Sequence, residues 1–187
     1  MKIHSLSIEG LLLIEPEVYS DERGYFLELF NEERYSRLKL PSEFCQDNLS
    51  VSKKNVIRGL HFQDEPYAQG KLVRVIRGAV MDVAVDLRKD SPTFGKYESL
   101  MLTESNNHVL WIPAGFAHGF AVLDNDTVFH YKCTALFNKA SEVGIRFDDE
   151  ELNIAWNIRN PIVSGKDREL MSFADYKKRI GIKSVSV

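Results

Sequence analysis

Only two cysteines, Cys45 and Cys133, occur in the 187 residues, far apart and without ligand spacing around them. That excludes a disulfide framework and a cysteine zinc site, and predicts buried free thiols in a reducing compartment. No apolar run approaches the roughly 20 residues that cross a membrane. The start, Met1-Lys2-Ile3-His4, has no secretory h-region, so the expectation is a cytoplasmic protein without a membrane partner. Excess charge is also missing: 24 Lys and Arg stand against 27 Asp and Glu. Bulk attraction to nucleic acid is thereby excluded, and an anionic ligand must be held by locally placed cations. Repeats, linkers and low-complexity segments are absent. The length suits one domain, 1–187, with a sizeable core.

Short apolar segments punctuated by turns fill the chain. Leu11 to Ile14 reads as a strand stopped by Pro16. Asp21-Glu22-Arg23-Gly24 reads as a turn and Tyr25 to Phe30 as a strand. Asn31 to Leu38, with an N-cap residue, early acids and late bases, reads as a short helix. Between about Phe44 and Phe137 strands are expected at 72–76, 79–87, 97–103, 109–112, 119–123 and 128–134. Separators such as Arg77-Gly78, Lys89-Asp90-Ser91-Pro92 and Asp124-Asn125-Asp126 lie between them. This spacing predicts a mainly β chain, an antiparallel jelly-roll or barrel with core at about 44–137 and a few short peripheral helices. A helical turn is expected at 150–156 and a surface helix at 173–180. A barrel of this size encloses one small-ligand cavity, so inward polar side chains become candidates.

The stretch Asn55-Val56-Ile57-Arg58-Gly59-Leu60-His61-Phe62-Gln63 is the centre of that search. Alternation puts Gly59, His61 and Gln63 on one face and Leu60 and Phe62 on the other. Gly59 is expected to leave open space beside His61. A histidine facing a cavity from a rigid strand suits a general base, while a core histidine bonded to backbone is the ordinary alternative. Strict alternation separates Arg58 from His61, so both reach one pocket only through a bulge or strand end. Lys71 opens an apolar strand, either as a cavity cation or as a solvated strand end. Tyr131 shares a face with Phe129 and Cys133, either as a functional hydroxyl or as a structural one. Pro113-x-Gly115-x-x-His118 resembles a cupin turn. The His-x-His and carboxylate of metal cupins are missing, so no metal is expected.

Arg58-Gly59-Leu60-His61-Phe62-Gln63, Gly70-Lys71-Leu72-Val73-Arg74-Val75, Trp111 to Phe120, and Tyr131-Lys132 occur in this order. Gln46-Asp47-Asn48 precedes them and Ser164-Gly165-Lys166-Asp167 follows. The set resembles the dTDP-4-dehydrorhamnose 3,5-epimerase family from about Arg23 to Asp167. The resemblance implies a cofactor-free cupin epimerase acting on a dTDP-4-keto-6-deoxy sugar in the route to dTDP-L-rhamnose. It implies His61 as base, Tyr131 as proton donor, Lys71 near the keto oxygen and Asp167 as the carboxylate behind the base. Arg23, Glu28, Gln46, Asn48, Arg58, His118, Glu142 and Lys166 match substrate-binding positions. It further implies a homodimer with shared sites, Arg23 and Glu28 reaching the neighbouring subunit. Leu49, Leu136-Phe137 and Phe147 depart from the family pattern and bear on fine substrate choice. A mono-epimerase on a related nucleotide sugar, a non-catalytic sugar-binding cupin and a metal-dependent cupin enzyme are the competing readings.

Overall fold

The computed structural model describes residues 1–182, so the last five residues of the expected domain lie outside the described residues. The strands are β1 (Lys2–Ser5), β2 (Leu12–Glu15), β3 (Val18–Asp21), β4 (Gly24–Leu27), β5 (Gln46–Ser52), β6 (Ile57–Gln63) and β7 (Lys71–Arg77). They continue with β8 (Ala79–Asp86), β9 (Tyr97–Thr103), β10 (Val109–Ile112), β11 (Phe116–Val122), β12 (Thr127–Cys133) and β13 (Glu142–Gly144). The helices are short: α1 (Glu32–Arg37), α2 (Gly165–Arg168) and α3 (Phe173–Arg179). One sheet runs β1-β2-β10-β7-β12-β5 and the other β13-β6-β11-β8-β9, while β3 and β4 form a separate hairpin. Every ladder between these strands is antiparallel. This is the expected jelly-roll of cupin type.

Alternation along the strands sorts the apolar residues into three layers. Val73, Val75, Val80, Leu110, Phe120 and Phe129 meet between the two large sheets. Outside the six-stranded sheet, Leu72, Val109 and Trp111 pack with Tyr35 of α1. On the far side of the five-stranded sheet, Leu60, Phe62, Val85 and Ala117 are covered by Val143, Trp156, Phe173 and Tyr176. The segment after β13 is therefore a cover on one sheet, and its apolar residues need no regular period to serve.

Several expectations change. β1, β3, β5, β13 and α2 are additions to the expected elements: β1 is a mostly exposed edge strand, and β5 (QDNLSVS) exposes Leu49 and Val51 on its outer face. The Tyr25–Phe30 strand stops at Leu27 and pairs with β3 instead of a main sheet. β11 starts at Phe116, three residues early, because His118 is part of the ladder. The helical turn expected at 150–156 is present but shorter: residues 150–152 turn with the Asn153 N–H on the Asp149 carbonyl and the Asp149 carboxylate as cap. Cys133 is buried as expected, but Cys45 is exposed; both are free.

The largest correction concerns Gly59. It leaves no open space: a Cβ there would sit 2.5 Å from the Gly119 Cα and 2.8 Å from the His118 carbonyl oxygen. Its φ of +119° lies where side-chain-bearing residues are strained. On β11 His118 pairs with His61 and Phe120 with Arg58, so three steps on β6 answer two on β11. This bulge is the irregularity alternation required, and it turns Arg58 and His61 to the same cavity.

Candidate active site

A cavity of about 590 Å³ opens between the two large sheets, lined by Arg58, His61, Lys71, His118, Tyr131 and Asp167 among others. A smaller lobe of about 130 Å³ shares His61, Lys71 and Tyr131 and adds Gln46, Asn48, Gln63 and Glu142. His61 comes from β6 in one sheet, Tyr131 and Lys71 from β12 and β7 in the other. A flat ligand held between the sheets therefore meets histidine on one face and tyrosine on the other.

Asp167 reaches His61 from α2, where the Ser164 hydroxyl caps the Asp167 N–H. His61 Nε2 lies 2.8 Å from Asp167 Oδ1, and the Gly59 N–H donates to Oδ2 at 3.3 Å. A carboxylate only accepts, so Nε2 carries the proton and Nδ1 keeps its lone pair. Burial pushes the Asp167 carboxyl up, but the His61 bond and charge and the Gly59 N–H outweigh it and hold it below the usual range. A charged Asp167 thus faces His61 Nε2 and leaves Nδ1 as the free acceptor of the ring.

Lys71 is 8% exposed and donates to the His61 carbonyl oxygen at 3.1 Å. Desolvation pulls its pKa down, against the fields of Cys133, Asp82 and Glu142. Burial pushes Tyr131 up, so its hydroxyl holds its proton at neutral pH. His118 is buried, with Nε2 2.9 Å from Asp82 Oδ2. Desolvation pulls its pKa down, which keeps it neutral and leaves Nδ1 an acceptor.

Gln46 and Asn48 enter the small lobe from β5, and Gln46 Nε2 donates to Asn48 Oδ1 at 2.9 Å. Glu142 and Lys166 form an ion pair of 2.5 Å joining the two lobes. Arg58 Nε donates to Ser52 Oγ at 3.1 Å. Arg23 and Glu28 line neither lobe. Arg23 is exposed in the β3–β4 turn against its own Asp21, and Glu28 accepts from Asn31 at 3.1 Å. Among the departures only Phe137 faces the site; Leu49 is on the outer face of β5, and Phe147 is buried, its backbone carbonyl accepting the Trp156 indole N–H.

Asp82 was missed. It is a fully buried carboxylate in the apolar run Ala79–Leu87, on the same face as Val80 and Ala84. A charge inside such a run is a signal the sequence offers. Among the described residues no three His, Cys, Asp or Glu side chains converge as a metal-ligand set.

Residues 5–175 match the family model described as dTDP-4-dehydrorhamnose 3,5-epimerase. The protein of that name from Shigella flexneri is 48% identical over 94% of this chain and 97% of its own. A crystal structure of dTDP-6-deoxy-D-glucose-3,5-epimerase from Legionella pneumophila, in complex with dTDP-4-keto-L-rhamnose, is 41% identical. It covers 99% of both chains at a TM-score of 0.91. A dTDP-4-dehydrorhamnose 3-epimerase from Streptomyces niveus is 36% identical over 94% of this chain and 85% of its own. With nearly the whole length matched by the family model, the chain belongs to the dTDP-4-dehydrorhamnose 3,5-epimerase family.

Proposed function

We propose that this protein inverts C3 and C5 of dTDP-4-dehydro-6-deoxy-D-glucose, giving dTDP-4-dehydro-L-rhamnose on the way to dTDP-L-rhamnose. The observation that carries this reading is the placement of the His61–Asp167 pair and Tyr131 on opposing sheets of one cavity, with Lys71 beside them. The C4 carbonyl acidifies the hydrogens on both neighbouring carbons. His61 Nδ1 takes one of them, and the C–H electron pair moves into the ring to form an enolate with its charge on O4. Lys71 is the donor for that oxygen; removing one such donor typically costs about 10²–10³ in rate. Tyr131 returns a proton to the same carbon from the opposite face, inverting it. The imidazolium and phenolate then exchange protons with solvent, and the cycle repeats at the second carbon. No redox step is involved in the balance.

Arg58 and Lys166 are the cavity cations suited to the diphosphate. The β3–β4 hairpin supports a homodimer with shared sites. It is a lone two-stranded unit whose Tyr19, Tyr25 and Phe26 are 54%, 58% and 68% exposed. Such a hairpin is marginal by itself and gains stability on a second surface. In a dimer it would bring Arg23 and Glu28 to the partner's cavity. A cytoplasmic setting accords with the two free thiols. No helix among the described residues is long and apolar enough to cross a membrane.

The similarity to a 3-epimerase keeps inversion at one carbon as the second reading. Incubation with dTDP-4-keto-6-deoxyglucose in D₂O, followed by NMR, separates the two. Deuterium at both C3 and C5 with inverted product supports the double epimerase. Label at one carbon alone supports the mono-epimerase, and no label in bound sugar supports a binding protein.

A further inference from the structure

Gln63 ends β6, two residues beyond His61, and its side chain is buried. Nε2 donates to the Tyr67 carbonyl at 2.6 Å and to the Leu136 carbonyl at 3.2 Å. Oε1 accepts from the Asn138 N–H at 2.7 Å. One amide thus joins the backbones of two loops, 64–70 and 134–141, to the strand of the proposed base. Further bonds stitch the loops together: Gln69 Nε2 to the Ala135 carbonyl at 2.6 Å and Asp64 N–H to the Ser141 carbonyl at 2.9 Å. The second loop forms a wall of the small lobe. Its Phe137 N–H donates to Gln46 Oε1 at 2.7 Å, and Gln46 passes a bond to Asn48. It then delivers Glu142, which pairs with Gln63 across the β6–β13 ladder and binds Lys166.

We infer that Gln63 is a positioning residue that locks the 134–141 loop against the strand of His61, so that the small lobe is built before substrate arrives. This rests on the epimerase reading for its substrate. A side-chain amide has a fixed length and three bonds here, so it sets the spacing between the reacting carbon and the far wall of the lobe. Its effect falls on binding, because ordering the loop is then no longer a cost of association. Chemistry at His61 and Tyr131 is left as it is.

Gln63→Met keeps the side-chain length and removes the three bonds. The expected result is KM for dTDP-4-keto-6-deoxyglucose and Kd for dTDP raised together by about tenfold, with kcat within about twofold. Hydrogen exchange at 136–138 should quicken in step. Because a buried change can impair folding, Gln69→Met serves as the second variant. It breaks one loop-to-loop bond at a half-buried position and should shift KM and Kd the same way by about threefold. Unchanged KM and Kd in folded variants, with or without faster exchange, would overturn the inference; so would a fall in kcat at constant KM, which would put Gln63 in the chemistry. If the unmodified protein binds dTDP but does not turn over the sugar, the epimerase reading fails alone, and the dTDP titration still decides the role of Gln63. If it neither binds dTDP nor turns over the sugar, both fail.

Discussion

At the scale of single residues, the site depends on His61 being oriented by a partner more than a hundred positions away. The Asp167 carboxylate fixes the tautomer, and Gly59 N–H fixes the carboxylate. His61→Ala is expected to lower kcat by at least about 10²–10⁴, the usual contribution of a general base. Binding of dTDP should hold within a few fold, as calorimetry would measure. Asp167→Asn keeps the shape and loses the charge, so kcat should fall while KM stays close to that of the unmodified protein. Near-normal exchange of both sugar hydrogens by His61→Ala would remove histidine from the role of base.

At the scale of elements, the β8–β9 connection shows how a buried charge is held. Asp86 is fully buried at the end of β8 and accepts from Arg88, Ser91 and Thr93. Burial pushes its carboxyl up, yet these donors bring it down to about 2. A carboxyl lowered in the folded state stabilises it above the unfolded value near 3.8, and that gain disappears as pH falls from about 4 to about 2. The size is about 2 kcal/mol. Asp86→Asn should therefore lower denaturant stability at pH 7 and bring the variant and the unmodified protein closer together near pH 2. A constant gap between the two curves across that range would contradict the assignment. Most strands were legible because turn residues mark their ends, and α1 because Asn31 caps it. β5 was not, since its sequence is polar and its apolar residues face outward, where only a neighbouring surface explains them. The candidate residues of the cavity were legible from motif and resemblance. Their bonding was not, because Asp82–His118 and Gln63 with its two loops come from segments that only the closed barrel brings together.

For the whole molecule, two consequences follow from the sheets and the hairpin. If the β3–β4 hairpin crosses to a second subunit, Arg23→Ala should raise KM about ten- to a hundredfold, the worth of a charge-assisted hydrogen bond at roughly 1.5–3 kcal/mol. A turn arginine serving only its own chain would change stability by less than about 0.5 kcal/mol and leave KM alone. Mixing Arg23→Ala with inactive His61→Ala subunits should restore high-affinity activity, since one site of each mixed dimer is intact. Mixed dimers without recovery would end the shared-site reading. The barrel sets His61 and Tyr131 on opposing sheets of one cavity; the proposed mechanism makes them base and acid on opposite faces of the sugar, and Tyr131→Phe in D₂O tests that most directly. With the tyrosine proton gone, His61 still removes hydrogen and returns deuterium to the same face. Deuterium should therefore enter recovered substrate faster than inverted product forms. Exchange and inversion falling by the same factor would contradict two-faced transfer and leave Tyr131 a residue that only places the sugar.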